Sequence, residues 1–220
     1  MAGPSRAPLG IAGFAKLTGV SRETLDRLAK YVELLNSWTR RINLVGRDTL
    51  GDVWRRHILD SAQLFPLIPR EARKLVDLGS GAGLPGLVLA IMGVPEVHLI
   101  ESDGRKAAFL REALRITGAP AVLHAQRIDR VPGFAADVVT ARALAPLPEL
   151  LAISERFLGP HTICLFLKGR KIEEELTEAA KTWHIRENRQ PSLTDPSGCI
   201  LRLEAIARDP RAGTARSSRS

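Results

Sequence analysis

The residues with the clearest chemical potential form the run DLGSGAGLPG at positions 77–86. Glycines in such a run allow a tight turn and let a ligand approach the backbone where a Cβ atom would clash. Gly81, Gly83 and Gly86 have the G-x-G-x-x-G spacing of dinucleotide sites. Because the run follows a predicted strand and opens a predicted helix, it predicts a loop that binds a nucleoside cofactor.

An acidic residue ends the next predicted strand. Glu101 lies 22 residues beyond Gly79, where a carboxylate can accept hydrogen bonds from both hydroxyls of a ribose. NAD and S-adenosylmethionine share this ribose, so Glu101 indicates a nucleoside without choosing between the two cofactors.

Asp77 favours the methyl donor. A carboxylate just before the first glycine would repel the pyrophosphate of a dinucleotide, whereas S-adenosylmethionine carries an ammonium and a sulfonium group. We therefore predict a methyltransferase that binds S-adenosylmethionine through residues that include Asp77, Gly79, Gly81 and Glu101. Three alternatives stay open: Asp77 only caps the turn, the protein is a nicotinamide-dependent oxidoreductase, or it is a non-enzymatic RNA-binding module.

The distribution of charge is uneven. The 220-residue chain has a formal net charge of +8, and residues 1–75 hold 13 basic and 7 acidic residues. Residues 208–220 hold four basic residues and one acidic residue, and the region between the two ends is nearly neutral. Basic ends suggest a polyanionic partner, although a solvated surface explains them equally well.

Other features of the composition narrow the class of protein. No apolar run is long enough to span a bilayer, and no secretory signal is visible, so we expect a cytoplasmic protein with no membrane partner. The two cysteines, Cys164 and Cys199, lie in apolar runs and predict reduced thiols, with neither a disulfide nor a metal site.

From residue 74 short apolar runs alternate with helical patterns, which predicts an α/β fold with a parallel sheet covered on both faces. We expect a Rossmann-like class I methyltransferase domain over 73–207, its seven-stranded sheet mostly parallel and ending in an antiparallel edge hairpin. A basic helical extension is predicted over 1–72, with poor order before Ser21 and helices beginning at Ser21 and Asp52. Residues 208–220 are predicted to be a disordered basic tail.

Over about residues 25–205 the chain resembles the small-subunit ribosomal RNA methyltransferase G family. The glycine run alone is typical of many methyltransferases, but its combination with RHILDS at 56–61 is more specific. The family more often has Asp at the position of Glu101 and Phe at that of Leu144. The other matching segments are YVELLNSW (31–38), INL (42–44), LIES (99–102), KAAFLR (106–111), RA (142–143) and LKG (167–169).

The resemblance implies transfer of a methyl group from S-adenosylmethionine to N7 of a guanine in 16S rRNA. Gly79 and Leu84 would line the cofactor, and Ile128 and Asp129 would flank its adenine. Arg142 would face the cofactor or the incoming guanine. The implied partner is 16S rRNA or the small ribosomal subunit, and we expect a monomer.

Guanine N7 has a lone pair and no proton, so its methylation needs alignment and no general base. We therefore assign no catalytic base and take Arg142 as a positioning candidate. Both cysteines are expected to lie away from the loop after the fourth strand, and His57 and Asp60 are expected to form a structural hydrogen bond. The candidates for RNA binding are Arg40, Arg41, Arg55, Arg56 and Lys168.

Overall fold

The computed structural model describes residues 7–210. Its centre is one seven-stranded sheet in the order β3-β2-β1-β4-β5-β7-β6. Strands β1 to β5 are parallel, and β7 runs antiparallel to both β5 and β6. The predicted mostly parallel sheet with an antiparallel edge pair is confirmed. The strands are β1 Lys74–Leu78, β2 Glu96–Ile100, β3 Ala121–His124, β4 Val138–Arg142, β5 Ile163–Lys168, β6 Trp183–Pro191 and β7 Cys199–Arg208.

Helices cover both faces of the sheet because the central strands are apolar on both sides. Separate buried clusters lie on the two faces, and the residues before β1 belong to one of them. The helices are α1 Ile11–Thr18, α2 Arg22–Thr39, α3 Asp60–Ala62, α4 Gly86–Met92, α5 Gly104–Thr117, α6 Leu147–Ser154 and α7 Ile172–Ala179.

The N-terminal region is more ordered than predicted, because α1 forms within the stretch expected to lack structure. Phe14 is fully buried, and two hydrogen bonds tie the chain before α1 to the segment that follows α2. Leu9 N donates to Asp52 Oδ1 at 2.6 Å, and Arg55 Nη2 donates to the carbonyl of Ala7 at 2.8 Å. The Gly- and Pro-rich composition concealed these long-range contacts.

The segment predicted as one helix from Asp52 is a series of shorter turns. A 3₁₀ turn spans Arg47–Asp52, a π-helical turn spans Trp54–Leu59, and α3 completes the segment. The predicted helix beginning after Ser21 is confirmed as α2, and the Ser21 side chain accepts a hydrogen bond from Thr24 N. π-Helical turns are rare and often lie at functional sites.

The last strand passes the expected end of the domain at residue 207. Arg208 lies in β7, forms an ion pair with Glu155 at 2.7 Å, and stacks over the ring of Trp183. The rest of the predicted tail from residue 211, like residues 1–6, lies outside the described residues. Within residues 7–210, no helix is both long and apolar enough to cross a bilayer.

Helix α2 joins the N-terminal region to the glycine run. The hydroxyl of Tyr31 donates to the carbonyl of Ala82 at 2.7 Å, in a fully buried contact. Burial raises the pKa of this hydroxyl well above its usual range, so Tyr31 stays a neutral donor. Trp38 packs edge-on against Phe109 of α5, as expected for a residue on the apolar face of α2.

Candidate functional site

Two adjoining cavities open at the carboxyl ends of the parallel strands, where open α/β sheets bind ligands. The main cavity, about 760 Å³, extends from the glycine run to the loop between β6 and β7. The side cavity, about 400 Å³, extends from Gly79 past Glu101 to the turn after β3. Both volumes lie in the usual range for ligand pockets. The two cavities share Gly79, Lys106 and residues 142–145.

The glycine run forms the wall between β1 and α4. Gly79 and Gly81 have φ angles of +64° and +57°, in the left-handed region that glycine adopts most easily. A Cβ atom at Gly81 would have only Gly79 O, at 3.8 Å, among its close protein neighbours. The open space beside Gly81 is where a ligand can approach the backbone. Leu84, only 4% exposed, also lines the main cavity.

Asp77 lies beneath the glycine run and is fully buried. Its Oδ1 accepts a hydrogen bond from Thr140 Oγ1 at 2.8 Å, and its Oδ2 accepts one from Gly86 N at 3.2 Å. Burial raises the pKa of this carboxyl to about 6. These contacts give Asp77 the turn-capping role that the sequence left open, and its oxygens face protein donors instead of the cavity.

Glu101 holds the glycine run from the other side. Its Oε2 accepts a hydrogen bond from Gly81 N at 2.8 Å, and its Oε1 accepts one from Asp103 N at 2.7 Å. A carboxylate can accept about four hydrogen bonds, so each oxygen keeps a lone pair for a ligand. Glu101 is 7% exposed and lines the side cavity. It can therefore bind two hydroxyl groups while it fixes the loop.

The turn after β3 forms the far wall of the side cavity. Ile128 and Asp129, which the resemblance assigns to the adenine, begin the 3₁₀ turn Ile128–Arg130, and both line the side cavity. The Asp129 carboxylate is exposed and pairs with Arg127 at 3.1 Å, which lowers its pKa. Ile128 packs partly against the core, so it offers an apolar surface to a ring bound there.

Arg142 ends β4 and borders both cavities. Its Nη1 donates to Asp60 Oδ2 at 3.2 Å, to His57 Nδ1 at 3.3 Å and to the carbonyl of Arg56 at 3.4 Å. Its Nε and Nη2 form no hydrogen bond with the described residues. The sequence suggested a hydrogen bond between His57 and Asp60. Instead, each of these residues bonds to Arg142. Both hold one side of the Arg142 guanidinium and leave its other donors free.

His57 is held in its neutral form. Nδ1 accepts from Arg142, so Nε2 carries the proton that it donates to Thr49 Oγ1 at 2.6 Å. Thr49 Oγ1 in turn donates to the carbonyl of Gly46 at 2.5 Å. Burial, with the positive charges of Arg142 and Arg56, lowers the pKa of His57 to about 4. A neutral imidazole lets the guanidinium approach without repulsion.

This depressed pKa predicts a pH-dependent stability. The unfolded chain binds a proton at His57 near pH 6.5, but the folded chain does so only near pH 4. The contribution of His57 to the free energy of unfolding is therefore complete above pH 6.5 and is lost as the pH falls towards 4. The temperature of the unfolding midpoint should therefore fall as the pH is lowered from 6.5 to 4. The fall should be smaller in His57→Gln. An NMR titration that places the pKa of His57 near 6.5 would contradict this account.

Sequence reasoning missed the β6–β7 loop, which borders the main cavity with Ser192, Thr194 and Asp195. The Thr194 hydroxyl donates to Asp60 Oδ1 at 2.5 Å. This contact joins residues 134 positions apart, so no local pattern could indicate it. Cys199, at the start of β7, also lines the main cavity, a position that the sequence did not indicate.

Two of the five candidates for RNA binding are occupied within the protein. The side chain of Lys168 is only 8% exposed, its Nζ lies 2.5 Å from Glu175 Oε2, and it donates to the carbonyl of Ala145 at 3.0 Å. Arg55 pairs with Asp52 at 2.9 Å. Both side chains therefore make intramolecular contacts that occupy their charged groups. The other three candidates are exposed. Arg56 lines the main cavity, and Arg40 and Arg41 follow α2.

Solved structures share this fold at low sequence identity. A TehB-like SAM-dependent methyltransferase from Corynebacterium glutamicum superposes with a TM-score of 0.54 at 17% identity, covering 78% of this chain and 97% of that one. A putative O-methyltransferase from Klebsiella pneumoniae has a TM-score of 0.55 at 14% identity, with 90% and 97% coverage. At these identities the likeness concerns the fold alone.

Curated relatives are far more similar in sequence. A protein of Rhodospirillum centenum named ribosomal RNA small subunit methyltransferase G is 63% identical over 194 residues, which are 88% of this chain and 90% of that protein. A protein of the same name from Paramagnetospirillum magneticum is 60% identical, covering 87% and 93%. The family model described as rRNA small subunit methyltransferase G matches residues 24–198. The chain therefore belongs to the rRNA small subunit methyltransferase G family.

Proposed function

We propose that the protein transfers a methyl group from S-adenosylmethionine to N7 of a guanine in 16S rRNA. The observation that carries the proposal is the Glu101 carboxylate, which two backbone N–H groups fix beside the glycine run while each oxygen keeps a free lone pair. Family membership supports methyl transfer and a substrate in small-subunit rRNA. Family membership now carries the choice against a nicotinamide cofactor, because the Asp77 oxygens are bonded to Thr140 and Gly86 and so no longer indicate either cofactor.

In this proposal the parts of the cofactor are distributed over the two cavities. Glu101 would bind the ribose hydroxyls, Ile128 and Asp129 would flank the adenine, and Gly79 and Gly81 would face the methionine part. When bound, S-adenosylmethionine supplies an activated methyl group. Leu144 lies where the side cavity meets the main cavity and follows Ala143, whose φ of +50° is uncommon for a residue other than glycine. This loop would lie beside the place where the methionine part of the cofactor meets the substrate in the main cavity.

The main cavity suits a reaction that needs no general base. His57 is a neutral hydrogen-bond partner of Arg142, and Asp60 and Glu175 are paired with cations. Guanine N7 can attack directly once it is aligned. Burial raises the pKa of the Cys164 thiol far above neutrality, and burial also raises that of Cys199, so neither is poised as a nucleophile. Arg142 would position substrate or cofactor through Nε and Nη2.

The partner in this proposal is 16S rRNA or the assembled small subunit, bound by a monomer in the cytoplasm. Three exposed arginines would contact phosphates: Arg56, which lines the main cavity, and Arg40 and Arg41, which follow α2. Other exposed arginines among the described residues provide a control for the loss of three positive charges. The basic residues from 211 onward would add non-specific attraction. We propose 73–208, up to the end of β7, as the methyltransferase domain, with 1–72 as an extension whose described residues share its core.

Removing Arg40, Arg41 and Arg56 should weaken RNA binding more than removing three other exposed arginines. Replacing Arg40, Arg41 and Arg56 with alanine should reduce the slope of log affinity against log salt by about 3, since each lost phosphate contact contributes about 1. The matched control replaces three exposed arginines elsewhere on the described surface: Arg22 at the start of α2, Arg70 before β1 and Arg111 in α5. Equal losses of rRNA affinity in the two triple variants would show that the surface is misassigned.

A transfer assay tests the proposed function. The protein is incubated with S-adenosylmethionine carrying a tritiated methyl group and with 16S rRNA or small subunits from cells that lack the enzyme. Incorporation of the label into a single guanine supports the proposal. Failure to label either substrate, in a preparation that binds S-adenosylhomocysteine, would refute it.

A further inference from the structure

The loop between β6 and β7 brings an acidic residue to the main cavity in a fixed position. Ser192 Oγ accepts hydrogen bonds from Thr194 N and Asp195 N, both at 3.2 Å. The Thr194 hydroxyl is bonded to Asp60, which is paired with Arg142 at 3.2 Å. Asp195 is therefore held in a defined place relative to the Arg142 guanidinium.

Three carboxylates line the main cavity, and the protein neutralises two of them. Asp60 pairs with Arg142, and Glu175 pairs with Lys168. Asp195 forms no ion pair within residues 7–210. Its Oδ1 accepts from Ser197 N at 2.9 Å and from Ser197 Oγ at 2.8 Å, while its Oδ2 accepts no hydrogen bond from the described part of the chain.

Asp195 is charged at neutral pH. The hydrogen bonds from Ser197 lower its pKa most, and the positive charges of Arg56 and Arg170 lower it further. The residue is half-buried. Asp195 lines the main cavity and its Oδ2 has no partner among residues 7–210, so this oxygen is available to accept hydrogen bonds from a ligand bound there.

We propose that Asp195 selects guanine by accepting hydrogen bonds through Oδ2 from N1–H and the N2 amino group of the target base. This inference rests on the proposed function. Among the four RNA bases, guanine presents these two adjacent donors on its Watson–Crick edge, whereas adenine presents an acceptor at N1. Proteins commonly read splayed-out RNA bases on this edge. Binding there leaves N7, on the opposite side of the purine, free to react.

Inosine provides the test because it keeps N1–H, O6 and N7 and lacks only the N2 amino group. An RNA with guanine at the methylated nucleotide is compared with the same RNA carrying inosine there, made by splinted ligation. The unchanged protein should lose about tenfold or more in kcat/KM on the inosine RNA, the usual loss when a hydrogen bond to a charged group is removed. Asp195→Ala should methylate both RNAs at similar, reduced rates.

Two further variants keep the test decisive. Asp195→Asn keeps an oxygen for the Ser197 contacts and turns an amide nitrogen towards the donors of guanine, so it should also lose the preference even if the alanine variant fails to fold. Glu174→Ala removes an exposed acidic residue of α7 and should keep the full preference. Affinity for S-adenosylhomocysteine should stay unchanged in all three variants.

The outcomes separate this inference from the proposed function. If Asp195→Ala and Asp195→Asn keep the full guanine preference, or the unchanged protein shows none, Asp195 does not read the N2 amino group and methyl transfer stands. If the unchanged protein transfers no methyl group to the guanine RNA, the proposed function fails and this inference fails with it.

Discussion

Replacing Glu101 with alanine should weaken the binding of S-adenosylhomocysteine by about 100-fold or more. The substitution removes two acceptors for the ribose hydroxyls, and a hydrogen bond to a charged group contributes about 1.5–3 kcal/mol. It also releases Gly81 N and Asp103 N, which the carboxylate holds at 2.8 and 2.7 Å. Isothermal titration calorimetry measures the change in Kd directly.

Two controls separate the lost ligand contact from a loosened loop. Glu101→Asp keeps the carboxylate that the family more often has at this position, so it should bind far more tightly than the alanine variant. Asp129→Ala removes an exposed carboxylate at the other end of the side cavity and should have a smaller effect. An alanine variant at Glu101 that binds as tightly as the unchanged protein would remove this residue from the cofactor site.

Arg142→Lys should lower kcat by about 100-fold while the protein stays folded. Lysine keeps the positive charge next to Asp60, but it loses the planar set of donors that lets one side bind His57 and Asp60 while the other faces the cavities. Misplacement of a reacting group by about 1 Å can alone produce a loss of about 100-fold. Steady-state kinetics with rRNA, beside thermal unfolding, checks both parts of this prediction.

The pH profile distinguishes positioning by Arg142 from proton transfer. If Arg142 aligns the reactants, Arg142→Lys should lower the plateau of kcat without introducing or removing a titration near neutral pH. Cys199→Ser, which also borders the main cavity, should keep substantial activity because no thiolate is needed. Full activity in Arg142→Lys would show that the guanidinium has no special role.

The central part of the fold was predictable because its patterns are local. Strands β1 to β5 coincide with short apolar runs in the sequence, and the glycine run between β1 and α4 needs left-handed angles at Gly79 and Gly81 that its composition reveals. The same local logic located Glu101 and Arg142 at the carboxyl ends of their strands. The sequence could therefore indicate the side chains that lie at strand ends and in the turns beside them.

The parts that could not be predicted depend on distant contacts. Lys168 was a reasonable RNA contact until Glu175 was found 2.5 Å away, and Asp77 seemed to face a cofactor until its bonds to Thr140 and Gly86 were seen. The β6–β7 loop reaches Asp60 across 134 residues. In each case charge and position in the chain were known, but the partner that decides the role was not.

The most direct test of methyl transfer to guanine N7 combines labelled transfer with cleavage chemistry specific for N7-methylguanine. Small-subunit rRNA from cells lacking the enzyme is methylated by the purified protein, and the strand is then cleaved at N7-methylguanine and mapped. We predict that the label enters 16S rRNA and that cleavage occurs at the labelled guanine. Label that enters the rRNA but resists this cleavage would contradict the N7 assignment, and absence of label would contradict methyl transfer itself.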